Sequence, residues 1–84
     1  MTFYQKKNRM VKVTTNFYSL TITIDDYIHL KVKMKDIYGY QSWSDREDKN
    51  SIQYYCRNGN ILCEYQDKEL WKEILKQLEP IEFN

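Results

Sequence analysis

Residues 51–78 restrict what this chain can fold into more than any other stretch. Asn58-Gly59 stands between two alternating runs, 51–57 and 60–65. That dipeptide is the strongest short-range hairpin signal, because a type I′ turn needs positive φ at both central residues. A two-residue turn predicts Cys56 opposite Ile61, Tyr54 opposite Cys63 and Ile52 opposite Tyr65, with all six side chains on one face. Asp67 then caps a helix over about 67–79. In it Leu70, Trp71, Ile74, Leu75 and Leu78 recur at helical spacing until Glu79-Pro80 ends the run.

The chain upstream reads as strands. Residues 10–15 alternate, with Val11 and Val13 on one face and Lys12 and Thr14 on the other, and Asn16 is a break. Residues 18–24 put Tyr18, Leu20, Ile22 and Ile24 inward; residues 28–35 put Ile28, Leu30, Val32 and Met34 inward and His29, Lys31, Lys33 and Lys35 outward. A three-residue loop, Asp25-Asp26-Tyr27, aligns the inward faces by pairing Ile24 with Ile28, Ile22 with Leu30 and Leu20 with Val32. A two-residue Asp25-Asp26 turn mixes them, so the longer loop is expected. Residues 37–43 form a fourth strand with bulges expected at Gly39 and near Trp43. Residues 44–50 read as a charged loop, and 80–84 as a short tail whose Ile81 and Phe83 can pack back on the sheet. Residues 1–9 are polar and basic, and either fray or add an edge strand.

These elements make an α+β fold, mainly antiparallel, with six to seven strands and one C-terminal helix. A single helix covers only part of one apolar sheet face, so a small barrel or sandwich is expected. The 84 residues are enough for one domain, and the aromatic fraction of 15% supplies large buried areas from few positions. Thirteen basic residues against twelve acidic ones argue against a dedicated non-specific nucleic-acid binder. No apolar run is long enough to span a bilayer, and no apolar segment follows the basic N-terminus, so a cytoplasmic protein is expected. Cys56 and Cys63 fall diagonally across the hairpin, roughly 7–8 Å apart at Cα, which predicts two reduced thiols. Abundant Lys, Asn, Ile and Tyr point to an AT-rich coding genome, that of a low-GC bacterium, a phage or a mobile element.

Residues 61–78, Ile-Leu-Cys-Glu-Tyr-Gln-Asp-Lys-Glu-Leu-Trp-Lys-Glu-Ile-Leu-Lys-Gln-Leu, resemble the end of a pleckstrin-homology (PH) domain. In that family a last strand runs into a helix carrying a buried Trp, a position that Trp71 matches. The resemblance implies a PH-like barrel with a capping helix, a scaffold commonly used for protein contacts. Lipid-binding members carry a basic motif across their first hairpin loop. Here Lys6, Lys7, Arg9 and Lys12 precede that hairpin, so inositol-phosphate binding does not carry over.

No catalytic constellation is legible. His29 is the only histidine and sits on an outward face, opposite Thr23, without an orienting carboxylate. Two cysteines without a second pair do not make a zinc site, and Asp45-Arg46-Glu47-Asp48 lacks calcium-loop spacing. No metal, cofactor or enzymatic activity is expected. Two groups remain as interaction candidates. Tyr38, Tyr40, Trp43 and Tyr55, the last paired with Leu62, are candidate anchors for a larger protein partner. Lys31, Lys33 and Lys35, with Lys12 and Arg9, form a stripe that could hold phosphates of nucleic acid or a lipid head group. No aromatic interleaves with them, and lysine on a solvent face also keeps a sheet from pairing at its edge. The expected function is therefore a small non-catalytic protein-binding module, of which an anti-CRISPR-like inhibitor of a host defence system is one version. Phosphate binding is the alternative.

Overall fold

The structure, a computed structural model, describes residues 9–83. Its elements are β1 (Val11–Thr15), β2 (Ser19–Ile24), β3 (Tyr27–Lys33), a 3-10 turn (Met34–Asp36), β4 (Ile37–Arg46), β5 (Lys49–Cys56), β6 (Ile61–Tyr65) and α1 (Lys68–Leu78). The fold is α+β, as expected, but it is not a closed barrel. β1-β2-β3 and β4-β5-β6 are separate antiparallel sheets, and among the described residues no strand pairing joins them. Whether the N-terminus adds an edge strand concerns residues 1–8, outside the described ones.

One apolar cluster binds the sheets and helix together. Leu20, Ile22 and Leu30 from the first sheet meet Ile37, Ile52, Tyr54 and Tyr65 from the second, with Ile74 and Leu78 from α1. The tail joins it as expected, Ile81 and Phe83 packing against this core. Asp67 caps α1, its Oδ1 accepting from the N–H groups of Glu69 at 3.0 Å and Leu70 at 3.3 Å. Trp71 Nε1 donates to the Ser51 carbonyl at 2.9 Å, tying the first turns of α1 to β5. One helical turn beyond Ile74, Gln77 uses its whole amide on β1: Val13 N–H donates to Oε1 and Nε2 donates to the Val11 carbonyl, both at 2.8 Å. Among the described residues β1 is an edge strand. A single side chain thus takes up a donor and an acceptor that the edge would otherwise present to other chains.

The central hairpin forms, two residues out of the expected register. Tyr54 faces Ile61, Ile52 faces Cys63 and Asn50 faces Tyr65. Gly59 N–H donates to the Cys56 carbonyl, and of the turn residues only Gly59 has positive φ, so Asn58-Gly59 is not a type I′ turn. A shift of two keeps every side chain on its face, so the apolar pattern cannot distinguish the two registers. Asn50 decides between them. Fully buried, it donates to the Tyr65 and Glu47 carbonyls at 3.1 and 2.9 Å and accepts from Ser44 Oγ at 2.7 Å, which locks β5 against the end of β6.

Between β2 and β3 the expected three-residue loop is replaced by a two-residue turn. Asp25 and Asp26 take φ of 51° and 69°, and Tyr27 pairs with Ile24. Aspartate tolerates the left-handed region better than most residues. A bulge at His29 then restores the pairs Ile22 with Leu30 and Leu20 with Val32. Ile28, expected inward, pairs with Thr23 instead and is exposed. Strand β3 ends at Lys33, so Lys35 sits in the 3-10 turn and not on the sheet. Residues 44–50 are not a loop: β4 and β5 extend through them to a tight turn at Glu47-Asp48. The bulges of β4 fall at Tyr38 and Asp45, not at Gly39 and Trp43.

Candidate interaction surfaces

The bulge at Tyr38 reassigns the faces of β4. Beyond it Tyr40, Ser42 and Ser44 lie opposite Tyr54, Ile52 and Asn50 on the core side, while Gly39, Gln41 and Trp43 lie opposite Tyr55, Gln53 and Ser51 on the outer side. The four candidate anchors therefore separate. Tyr40 turns inward and meets Phe83 edge-on at 5.7 Å, and burial, with the Glu79 carboxylate, pushes its phenol up. Tyr38 and Tyr55 stack on the outer face with ring centroids 6.3 Å apart, and the Tyr55 hydroxyl donates to Gln41 Oε1 at 2.6 Å. Trp43 is half-buried two residues along the same face. Leu62 is exposed there too, paired with Gln53 and not with Tyr55.

The outer face of the first sheet has a different chemistry. Lys12 is paired with Thr23, Lys31 with Thr21 and Lys33 with Ser19, so cations and hydroxyls alternate across it. Lys35 lies beyond the end of β3, and Arg9 is at the opposite end, lining a hollow with Asp25, Tyr27 and Ile28. The predicted five-residue stripe is thus three lysines on the sheet, one next to it and one apart.

Two exposed aromatic residues complete this end. Tyr18 was expected inward; it is 76% exposed, and Phe17 is 88% exposed. Their rings meet edge-on at 5.2 Å at the β1–β2 tip. Asn16 Oδ1 accepts from the N–H groups of Tyr18 at 2.7 Å and Ser19 at 2.8 Å, and the Tyr18 carbonyl accepts from Met34 N–H at 2.8 Å. The backbone is pinned on both sides while the rings stand in solvent. Phe17, Tyr18, Lys33 and Lys35 line an open hollow of about 430 Å³. An asparagine positioned to build such a turn directly before two aromatics is the signal that could have found it.

His29 joins the sheets. The bulge carries its Nε2 to 2.6 Å from the Tyr65 hydroxyl, and burial of that edge lowers the imidazole from its ordinary value. Behind it Tyr54 is fully buried with no hydrogen bond to its hydroxyl. Burial raises the Tyr54 and Tyr65 phenols and the Cys63 thiol. At neutral pH these groups are protonated, which suits packing better than proton transfer or nucleophilic attack. Both cysteines are free, and the observed register moves them further apart by setting Cys63 against Ile52. Among the described residues no cluster of three His, Cys, Asp or Glu side chains could hold a metal ion, and no helix is long and apolar enough to cross a membrane. No family model, curated protein or solved structure matches this chain.

Proposed function

We propose that this protein is a non-catalytic protein-binding module that engages its partner with the outer face of the second sheet. The Tyr38–Tyr55 stack carries the reading. Two aromatic rings held parallel, one tethered through its hydroxyl to Gln41, lose little conformational entropy on docking. Trp43 and Leu62 widen the apolar area, and Gln53 supplies neutral hydrogen-bonding capacity. Lys49 and Arg46 share the face only at its far end, beyond Trp43, and Glu64 lies opposite Ser51. The chemistry around the stacked rings suits a protein surface better than a phosphate. The last strand running into a Trp-bearing terminal helix is the feature that favours a PH-like scaffold, while the two separate sheets are not the closed barrel of that likeness. An inhibitor that silences a host defence enzyme by covering its surface, anti-CRISPR-like, is one form such a module takes.

The test is capture from lysate of a low-GC bacterium on the immobilised chain, after nuclease treatment and in moderate salt. A stoichiometric protein retained by the wild type and lost from a Tyr38→Ser/Tyr55→Ser double variant supports the reading. Retention by both, or a catch that disappears with nuclease, sinks it. Circular dichroism of the variant confirms that the sheets persist.

A further inference from the structure

The first sheet points to a second binding function, independent of the one above. We infer that the β1–β2 tip and the lysine-bearing face behind it bind single-stranded nucleic acid, with Phe17 and Tyr18 as base-stacking residues. Charge is segregated along the chain despite the net +1. Residues 1–43 carry seven Lys and Arg against three Asp, whereas residues 44–84 carry six against nine Asp and Glu. The outer positions of the first sheet, Lys12, Thr14, Ser19, Thr21, Thr23, Ile28, Lys31 and Lys33, include no carboxylate. Among the described residues none of Lys12, Lys31, Lys33 and Lys35 is in an ion pair. Their ammonium groups are free to meet phosphates.

Geometry selects a single strand over other anions. Lys31 and Lys33 are same-face neighbours on β3, roughly 7 Å apart along the strand, so they form a track and not a point. One end of the track meets the hollow lined by Lys33, Lys35 and the two rings. A strand laid along it puts consecutive phosphates over lysines and hydroxyls and an unpaired base against Tyr18 or Phe17. A duplex offers no free base face to those rings. A membrane would need its cations gathered at the level of the inserted rings, yet Lys31 and Lys12 recede from the tip along the sheet. The tip is also built in advance. Asn16 and Met34 hold the Tyr18 backbone, so ordering it costs the complex little.

Fluorescence anisotropy of a labelled oligothymidine, titrated with the whole chain at several salt concentrations, tests this. Binding is expected at low salt and should weaken steeply as salt rises. Phe17→Ala and Tyr18→Ala should each weaken it roughly tenfold. Lys31→Gln/Lys33→Gln should weaken it and flatten the salt dependence. Tyr38→Ser should leave it unchanged. Because both tip rings are exposed, these variants keep their fold, which circular dichroism verifies. The inference fails if the oligonucleotide does not bind at low salt, if the ring variants bind as the wild type does, or if a matched duplex competes equally. It also fails if phosphatidylserine vesicles bind the chain more tightly than the oligonucleotide and lose it on the same ring substitutions.

Discussion

Tyr54 in the core and His29 at its margin show how single residues carry costs that neighbouring contacts offset. The Tyr54 hydroxyl is buried close to that of Tyr65 and makes no well-formed hydrogen bond. Leaving such a group unpaired costs about 1–3 kcal/mol. Tyr54→Phe keeps the ring and removes the cost, so its thermal midpoint should equal or exceed that of the wild type. Tyr65→Phe should go the other way, because it strips His29 of its partner. His29 also sets a pH dependence. Its folded value is depressed below the ordinary 6.5 by desolvation. The unfolded chain therefore protonates first as pH falls, and stability declines from about pH 6.5 downward until the folded imidazole titrates. Denaturant midpoints measured between neutral pH and about pH 5 should show this slope in the wild type, with a smaller one in His29→Asn.

Among the elements, the edge of β1 makes the sharpest prediction. Gln77 supplies both a donor and an acceptor to that strand. Gln77→Leu abandons both and should cost about 1–2 kcal/mol in urea unfolding. Gln77→Glu keeps the acceptor for Val13, loses the donor to Val11 and adds a charge beside Glu73, so it should also destabilise. Much of this level is legible in the sequence. Alternation places the inward faces of β1, β2 and β5, and the helix with its Asp67 cap falls where the spacing puts it. Bulges and two-residue register shifts are not legible, because each depends on contacts distant in sequence. The Asp25-Asp26 turn and the face-aligned core look incompatible until His29 bulges, and Tyr65 lies 36 residues away. By strict alternation Tyr40 shares a face with Tyr38, and the bulge at Tyr38 separates them. Tyr18 is misplaced for another reason: alternation extends one residue too far into the turn that Asn16 makes.

At the scale of the whole molecule, the two sheets share one core and present unlike outer faces, one rich in aromatics and amides, the other in lysines and hydroxyls. Substitutions on exposed positions of different sheets share no partners, so their effects should add. Oligonucleotide anisotropy and protein capture on a Tyr18→Ala/Tyr38→Ser variant should each show the loss of the matching single variant and no more. The Gln77 contact has a consequence of another kind. Val13 and Gln77 are 64 residues apart. A ribosome thus extrudes β1 well before the side chain that covers its edge. Until Gln77 emerges the nascent sheet carries an open edge, and polysomes crowd many such edges together. The protein's yield in a cell therefore depends on how quickly α1 follows β1 out of the exit tunnel.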